Sequence, residues 1–534
     1  MKRLLLLGIL LCISNVIFAQ GYAETQKIIA SDPGNAFYFG YDVAIQGDVA
    51  VIGSRDATYQ GNGPLGVAYI LKKNSNNLWE EQQLLAAPDG AQFDSYGASV
   101  AIDGDYIVIG ANGQRYDAAG TNNVSQAGAV YIYKNDGNDN WVLEQKITAS
   151  DRESGSWFGL DVAIHDNRII VGCGRNSYDA SGQNYLLRAG AAYIFEKDGS
   201  NVWSQVVKLV APDRATEDRL GYAVSIYGDY ASVGAYTEDE DENGNNTISQ
   251  AGSVYTFKRD INGNWNFQQK LVPNVRPDNS ERLGWSLDMD GDYIVAGAHY
   301  ADEPNSSNGA FYIFERDTND TWIQVEKFVN PDGIQGEGFG YDVAIDGNNI
   351  LIGAYQDYLI TTGTTNIHGT VYYYTKELGT DTWMYQNKML ASNWQDTEVH
   401  NFGFSVDLDG DYAIVGDWIS DEQDPITNNV YNEAGAAYLL EFDPNLAVLS
   451  TNTIDNISVN AYPNPVQDYL NINFEESYEE VKITIYDMLG KSMLSKIYSN
   501  CSTIRLPFTV EKGLYMVKIQ TGNNKLSTLK ILKQ

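Results

Sequence analysis

The sequence has few of the residues on which disulfide frameworks, zinc sites and many catalytic centres depend. It contains three cysteines and four histidines in 534 residues. Cys12 lies in an N-terminal apolar run, and Cys173 and Cys501 are far apart, so no disulfide framework is expected. No metal-binding spacing links the histidines, and the chain has no GxSxG nucleophile motif and no phosphate-binding glycine loop.

Positive charge is also scarce. Lys and Arg total 35 against 70 Asp and Glu, which gives a net charge of −35. The imbalance lies in residues 20–445, which carry 24 basic and 62 acidic side chains, whereas residues 446–534 carry 9 and 8. A body this acidic repels nucleic acids and anionic membrane surfaces, so we expect neither as a partner.

Long apolar runs are absent after the first 19 residues. Lys2 and Arg3 precede the run "LLLLGILLCISNVIF", and Ala19 offers a cleavage point before Gln20. A membrane span needs about 20 apolar residues, so we interpret residues 1–19 as a signal peptide rather than an anchor. The mature chain is then expected to have no transmembrane segment.

Glycine is abundant and recurs at a fixed interval. Seven glycines follow a bulky apolar or aromatic residue, and a second glycine comes 13 residues after each. The pairs are Gly40 and Gly53, Gly97 and Gly110, Gly159 and Gly172, Gly221 and Gly234, Gly284 and Gly297, Gly340 and Gly353, and Gly403 and Gly416. This spacing indicates seven repeats of roughly 60 residues.

Each repeat has the pattern of a four-stranded antiparallel sheet. "SVAIDGDYIVIG" (Ser99–Gly110) alternates around Asp103-Gly104, which predicts a two-residue hairpin with positive φ at both central positions. A third strand follows, as in "GAVYIYK" (Gly128–Lys134), and a tryptophan begins the fourth. Because one such sheet cannot bury both faces, we expect radial packing of several sheets.

The seventh repeat lacks its fourth strand, and the start of the mature chain supplies one. "GAAYLLEFDPN" (Gly435–Asn445) is followed by no tryptophan strand, whereas "YAETQKIIASD" (Tyr22–Asp32) matches the fourth strand of the other repeats. This arrangement closes a ring. The predicted fold is all-β, with a seven-bladed β-propeller over residues 20–445.

The repeats resemble a known family. "FGYDVAIDGNNILIGA" (Phe339–Ala354), followed by "GTVYYY", is similar to the FG-GAP repeat of the integrin α-chain propeller. The resemblance implies adhesion, ligand binding or an accessory role. Family members often carry DxDxDG calcium loops between the first two strands, but a tight turn occupies that place here, so those sites are not transferred and no cofactor is predicted from them.

One other loop has a partial calcium pattern. Asp239, Asp241 and Asn243 stand at alternate positions and Gly244 is sixth, but Gln250 occupies the place of the closing Glu. A solvated acidic loop is the favoured interpretation, and a calcium site is the alternative.

The C-terminal residues have a different composition and predict a second domain. After a linker at 446–456, residues 457–534 read as a small β-sandwich. They resemble the type A C-terminal sorting domain of the type IX secretion system, through the following matching residues: Pro463, Asn464, Pro465, Gly490, Lys491, Gly513, Tyr515 and Lys530. The resemblance implies export by that machinery, through the periplasm of a Bacteroidetes-type bacterium, to the outer cell surface or the medium. An adhesive immunoglobulin-like module is the alternative.

The propeller topology predicts where a ligand would bind. Loops between second and third strands are long and varied and leave the same face as the connections between repeats, and such a face usually carries function. The candidate residues on it are Tyr59, Arg115, Tyr116, Tyr178, Tyr236, Tyr300, Tyr355 and Trp418. They suit a glycan or protein ligand.

Three hypotheses follow for the function. The first is a non-catalytic binding or adhesion protein, and the second is an extracellular polymer-acting hydrolase or accessory subunit that uses loop-face carboxylates. The third is a structural surface-layer component. The few histidines and the lack of a nucleophile motif favour the first.

Overall fold

The computed structural model describes residues 21–533, apart from 62, 276–279, 303–307, 333–335, 337, 362–363, 378, 394–398, 424–427, 445–458, 463–465, 468, 487–491, 509, 511 and 522–525. The chain folds into two compact units, residues 1–447 and residues 448–534. The described residues contain strands and no helix.

The first unit consists of seven sheets, here called blades, and the strands follow one another in chain order. β1 (Gly21–Ile28) precedes blade 1, which comprises β2 (Phe39–Gln46), β3 (Val49–Ser54), β4 (Val67–Lys73) and β5 (Trp79–Leu85). Blade 2 comprises β6 (Tyr96–Asp103), β7 (Tyr106–Ala111), β8 (Ala129–Asn135) and β9 (Trp141–Ile147). Blade 3 comprises β10 (Val162–His165), β11 (Arg168–Cys173), β12 (Ala191–Lys197) and β13 (Trp203–Leu209). Blade 4 comprises β14 (Val224–Tyr227), β15 (Tyr230–Ala235), β16 (Ser253–Arg259) and β17 (Trp265–Leu271).

The last three blades complete the set. Blade 5 comprises β18 (Leu287–Asp290), β19 (Tyr293–Ala298), β20 (Ala310–Arg316) and β21 (Trp322–Val329). Blade 6 comprises β22 (Val343–Asp346) and β23 (Asn349–Ala354), then an inserted hairpin of β24 (Tyr358–Thr361) and β25 (Thr364–Ile367), then β26 (Thr370–Lys376) and β27 (Trp383–Met389). Blade 7 comprises β28 (Ser405–Asp409), β29 (Tyr412–Asp417), an inserted pair of β30 (Glu422–Gln423) and β31 (Val430–Tyr431), and β32 (Ala436–Asp443). Neither insertion was expected from the sequence.

The N-terminal strand closes the ring, as predicted. β1 is the outer strand of blade 7 and pairs antiparallel with β32. Tyr22 lies opposite Phe442, in the register in which Trp79 lies opposite Lys73 in blade 1. Apolar side chains fill the interfaces between neighbouring blades.

The regular glycine spacing reflects contact between blades. A Cβ on Gly110 would lie 2.4 Å from the carbonyl oxygen of Gly159, the first glycine of the next blade. The same approach joins Gly416 of blade 7 to Gly40 of blade 1, where the distance would be 2.1 Å. The two glycines of each repeat therefore let the second strand of one blade approach the start of the next blade, all the way round the ring.

The hairpin between the first two strands differs from the prediction in one respect. Asp103 pairs with Tyr106, so the central residues of the turn are Gly104 and Asp105 rather than Asp103 and Gly104. Gly104 has φ 56°, whereas Asp105 has no positive φ. This is the pattern of a type II′ turn, which places glycine first, and not of the type I′ turn.

A network of tyrosine, aspartate and lysine joins neighbouring blades. The Tyr131 hydroxyl donates to Asp89 Oδ1 at 2.7 Å, and Lys146 Nζ donates to Asp89 Oδ2 at 2.6 Å. Although burial opposes it, these two bonds hold the pKa of Asp89 below its usual value. The network recurs between later blades, where Asp151 and Asp213 take the place of Asp89. It explains why an aspartate follows the fourth strand of these repeats.

The C-terminal unit is a five-stranded antiparallel sheet with two long strands. It comprises β33 (Val459–Tyr462), β34 (Tyr469–Tyr486), β35 (Ser492–Pro507), β36 (Gly513–Thr521) and β37 (Leu526–Lys533). β34 pairs with β33 along its first half and with β36 along its second half. Leu470 from the first half packs in the same core cluster as Ile483 and Val517, so the two halves cover each other as in a small sandwich.

Candidate functional site

A central channel runs between the first strands of the seven blades. It holds a cavity of about 360 Å³ lined by side chains of β2, β6, β10, β14, β18, β22 and β28. No lysine or arginine lines this cavity among the described residues. Because side chains alternate along a strand, every second residue of each inner strand points into the channel.

Five of the lining residues are aspartates: Asp42, Asp161, Asp288, Asp342 and Asp407. Each carboxylate accepts a backbone N–H from the inner strand of the next blade round the ring. For example, Val100 donates to Asp42 Oδ2 at 2.6 Å and Val406 donates to Asp342 Oδ2 at 2.8 Å. Such bonds tie the inner strands of adjacent blades together.

The carboxyl groups in the channel resist ionisation. Burial, with repulsion from Asp42, raises the pKa of Asp342 to about 8, and burial with repulsion from Asp342 and Asp288 raises the pKa of Asp161 to about 7. The pKa of Asp42 is raised to about 7 and that of Asp288 to about 6 for the same main reason, burial. Ionisation of one channel carboxyl therefore makes ionisation of its neighbours less favourable.

A second set of bonds joins neighbouring blades at the opposite end of the channel. Gly410 donates to Asp346 Oδ2 and Gly347 to Asp290 Oδ2, both at 2.7 Å, so a side chain of one blade caps the turn of the next. His165 occupies this position in blade 3, where its Nδ1 accepts from Gly228 at 3.4 Å.

Aromatic side chains gather at the loop-face end of the channel, here called the mouth. Tyr41, Tyr222, Trp285, Tyr341 and Phe404 each follow the first glycine of their blade, and they form the mouth cluster. Their ring centroids make a continuous arc: Tyr41–Phe404 5.2 Å, Phe404–Tyr341 5.0 Å, Tyr341–Trp285 5.5 Å and Trp285–Tyr222 4.6 Å. Blades 2 and 3 have Ala98 and Leu160 at this position, so the arc is open there.

Three of the residues predicted from sequence support the mouth cluster. Tyr236 packs on Tyr222, with ring centroids 4.5 Å apart. Tyr355 packs on Tyr341 at 4.2 Å and Trp418 on Phe404 at 5.1 Å. All three stand two positions after the second glycine of their blade. Tyr236 is buried, whereas Tyr355 and Trp418 are half-buried.

His299 occupies the same supporting position in blade 5. Its ring centroid lies 4.3 Å from that of Trp285, and the side chain is buried. Burial, with the nearby Arg282 charge, holds the pKa of His299 well below its usual value, so the ring is neutral.

A further ring of mouth residues has left-handed backbone geometry. The residue two before the first glycine has φ 57° at Tyr38, 62° at Trp157, 59° at Arg219 and 59° at Arg282. Its N–H donates to a carbonyl in the long loop of the preceding blade, as from Arg219 to Arg188 at 3.1 Å and from Arg282 to Gln250 at 3.1 Å. These bonds hold large side chains at the mouth in a conformation they rarely adopt. These residues were not predicted from the sequence, although each stands two positions before the first glycine of its repeat.

The other predicted residues lie on the loops and do not join the mouth cluster. Tyr178 is 37% exposed and packs on Tyr185, and Tyr300 is 41% exposed. Tyr59 packs against the blade 1 core, and the backbone of Tyr116 bridges to Asn123. Arg115 Nη2 donates to the carbonyl of Gln92 at 3.3 Å. The ligand-binding role predicted for these five residues, and for Tyr236, Tyr355 and Trp418, stays a prediction.

The acidic loop of blade 4 is closed by its own backbone amides. Asp241 is buried, and its Oδ1 accepts from the backbone N–H of Asn243 and of Asn245, each at 2.9 Å. Asp239 Oδ1 accepts from Gln250 N–H at 2.6 Å. The residues equivalent to Asp241 in blades 2 and 3, Asp117 and Asp179, accept loop amides in the same way. Among the described residues no three histidine, cysteine or acidic side chains are grouped as metal ligands would be.

A buried histidine–aspartate pair lies between blades 6 and 7. His400 Nδ1 is 2.8 Å from Asp417 Oδ2, and neither side chain is exposed. Asp417 Oδ1 also accepts the N–H of Asn401 at 2.7 Å. The His400 N–H donates to the Ile367 carbonyl of blade 6 at 3.0 Å, so the buried pair fits the structural role of joining two blades.

The sequence pattern of the FG-GAP repeat matches the chain seven times, at residues 22–71, 79–133, 141–195, 203–257, 265–314, 322–374 and 383–440. The chain belongs to the FG-GAP repeat family. Each match covers the outer strand of one blade and the first three strands of the next, and the seven matches confirm the resemblance stated from the sequence.

A second match covers residues 460–534, which correspond to a secretion system C-terminal sorting domain. The FG-GAP protein therefore carries a type IX sorting tail, which indicates secretion and an outer cell-surface location. In this tail Gly513 begins β36, Tyr515 is buried and Lys530 lies in β37. Pro463, Asn464, Pro465, Gly490 and Lys491 lie outside the described residues, as does the predicted signal peptide.

Other comparisons add little. No curated protein matches the FG-GAP chain. One solved structure of similar shape is the crystal structure of Saccharomyces cerevisiae Sqt1, with a TM-score of 0.41 and 9% sequence identity, over 79% of this chain and 99% of that chain. Within the described residues, no helix has the length and apolar character that a membrane crossing requires.

Proposed function

We propose that this protein is a secreted, non-catalytic binding propeller that takes an extracellular glycan at the mouth of its loop face. The observation that carries the proposal is the mouth cluster, in which five aromatic rings from five blades meet at one end of the channel. Flat aromatic faces with a polar edge suit sugar rings, which present apolar C–H faces and hydroxyl groups together.

The mouth cluster is also held rigidly. Supporting rings pack behind Tyr222, Tyr341 and Phe404 within 5.1 Å. On the blade 1 side, Arg55 Nη1 donates to the Tyr41 hydroxyl at 2.8 Å. A site that is ordered before binding loses little conformational entropy when the ligand arrives.

A hydrolase finds less support. The channel carboxyls have raised pKa values, but their oxygens accept backbone N–H groups that join the blades. They also lie beneath the mouth cluster. We therefore assign them to the scaffold and keep the binding role as the proposal.

The test is binding of the full-length secreted protein to a broad glycan array, followed by titration of any ligand found. The double variant Trp418→Ala/Tyr355→Ala should lower affinity by about tenfold or more, because large aromatic residues dominate such sites. Phe267→Ala is the matched control, since this ring is 42% exposed on the outer strand β17. Unchanged binding by the double variant would reject the mouth as the site.

A further inference from the structure

The loop face has a local excess of arginine that the overall acidity does not predict. Four half-buried arginines follow one another across blades 3 to 5, and we call them the arginine row: Arg175, Arg188, Arg219 and Arg282. They lie at the side of the mouth where the aromatic arc ends at Tyr222, because Arg219 and Arg282 lie beside the Tyr236 ring that packs on it.

The members of the arginine row are close to one another. Burial, together with the charges of Arg188 and Arg219, lowers the pKa of Arg175. The guanidinium carbons of Arg219 and Arg282 lie 5.6 Å and 5.9 Å from the centre of the same Tyr236 ring. The row is thus continuous from blade 3 to blade 5.

The positive charge of the row is only partly neutralised. Glu217 pairs with Arg188 at 3.2 Å and with Arg219 at 3.3 Å. Arg175 and Arg282 form no ion pair within the described part of the chain. Among the described residues, the four guanidinium groups are therefore paired with one carboxylate, that of Glu217, on a protein with a net charge of −35.

The arginine at each end of the row stacks on an aromatic ring. The guanidinium carbon of Arg175 lies 3.3 Å from the centre of the Trp157 ring, and that of Arg282 lies 3.9 Å from the centre of the Tyr300 ring. A guanidinium stacked on a ring can still bind a planar or tetrahedral oxyanion through its N–H groups, with two hydrogen bonds. In Arg282 the Nε–H donates to Gln250 Oε1 at 3.3 Å, so an oxyanion would bind the Nη groups.

We propose that the arginine row binds the carboxylate or sulfate groups of an acidic polysaccharide. The alternation of guanidinium groups and ring faces matches a polymer in which charged groups alternate with sugar rings. An acidic peptide offers the charges without a ring face beside each of them. This inference rests on the proposed glycan-binding function and names the class of glycan.

The experiment uses the full-length secreted protein and four polymers: polygalacturonate, dextran sulfate, neutral dextran and poly-L-glutamate. Affinities are measured at low and at moderate salt. Polygalacturonate or dextran sulfate should bind about tenfold or more tightly than neutral dextran, and this advantage should shrink as salt rises. The two acidic polysaccharides distinguish a carboxylate from a sulfate ligand.

The variant Arg175→Gln/Arg282→Gln removes the two arginines without a carboxylate partner. It should abolish the advantage of the acidic polysaccharides, and Arg282→Lys should keep part of it because the charge remains while the planar fork is lost. Arg259→Gln is the matched control, since this arginine ends β16 away from the loop face and pairs with Glu196. Thermal melting checks that each variant is folded.

The outcomes separate this inference from the proposed function. If neutral and acidic polymers bind equally and Trp418→Ala/Tyr355→Ala abolishes the binding of both, the arginine row is rejected as a binding site. The mouth is then supported as the glycan site. If the arginine variant alone removes binding of acidic polysaccharide, the row stands and the mouth is rejected. Equal affinity for poly-L-glutamate would overturn the polysaccharide class, and no binding to any polymer would overturn the row.

Discussion

The Tyr69 hydroxyl donates a 2.7 Å hydrogen bond to Asp32 Oδ1, which joins blade 1 to the segment that follows the closing strand of blade 7. Tyr131 and Asp89 make the same bond between blades 1 and 2. The N-terminal segment thus repeats, at the point of closure, a contact that the continuous chain makes elsewhere. The ring is closed by the strand pairing of β1 and by this contact beyond it.

We expect Tyr69→Phe to lower the free energy of unfolding of the propeller by about 1–2 kcal/mol, because it leaves Asp32 without a charge-assisted donor. Tyr131→Phe should cost a similar amount, since it removes the equivalent bond. Tyr178→Phe is the control, because its ring is exposed and its loss should fall within about 0.5 kcal/mol. Urea unfolding followed by tryptophan fluorescence measures all three. A neutral Tyr69→Phe would show that strand pairing alone closes the ring.

Gly416→Ala should destabilise the propeller far more than Gly104→Ala. A Cβ at position 416 would lie 2.1 Å from the carbonyl oxygen of Gly40, so blades 7 and 1 would have to separate, at a cost of about 3 kcal/mol or more. At position 104 nothing lies within 4 Å, and the cost is only that of positive φ, about 1–2 kcal/mol. The two melting temperatures provide the comparison, and equal losses would contradict the packing explanation.

The fold could be predicted because its signals are local and repeated. The 13-residue glycine interval and the tryptophan at each fourth strand set the blades, and the match of Tyr22 to the tryptophan position set the closure. The turn type was predicted wrongly, because Asp103-Gly104 fits a type I′ hairpin until the pairing of Asp103 with Tyr106 places glycine first. The inserted hairpins of blades 6 and 7 break the repeat and gave no signal.

The candidate site was only partly predictable, because it depends on contacts between blades. Loop aromatics could be named from the sequence, but the stacking of Trp418 on Phe404 joins positions that only the ring brings together. Trp157, Arg219 and Arg282 were missed for a further reason. Left-handed geometry at large residues contradicts their usual preference, and it arises from hydrogen bonds to the loop of the preceding blade.

Cys173 and Cys501 should differ in reactivity. Burial raises the pKa of the Cys173 thiol to about 12, and its side chain is fully buried, whereas Cys501 is half-buried. We expect a maleimide reagent at pH 7.5 to label Cys501 in the folded protein and to reach Cys173 only after unfolding. Mass spectrometry of the labelled peptides distinguishes the two sites, and Cys501→Ser provides the control. Rapid labelling of Cys173 would show that blade 3 opens in the native state.

The stability of the propeller should fall as pH rises from about 5.5 to 8.5. The pKa of Asp342 is about 8 and those of Asp42 and Asp161 are about 7 in the folded protein, whereas an unfolded aspartate titrates near pH 4. Between these values the folded state binds more protons than the unfolded state, so the slope of unfolding free energy against pH is negative. Each carboxyl whose pKa is raised by 1 unit contributes about 1.4 kcal/mol to the change.

Asp342→Asn should flatten this dependence, because the amide oxygen can still accept the Val406 N–H while the titrating proton and its repulsion of Asp42 disappear. Asp117→Asn is the matched control, since loop amides hold the pKa of this half-buried aspartate below its usual value and its protonation lies outside the window. His299 acts in the opposite direction: its buried neutral ring favours the folded state above its unfolded pKa near 6.5 and costs stability below it. Melting temperatures measured across the pH range at constant ionic strength report the sum of the carboxyl and histidine contributions. A melting temperature that rises with pH over the window would show that the channel carboxyls are ionised in the folded protein.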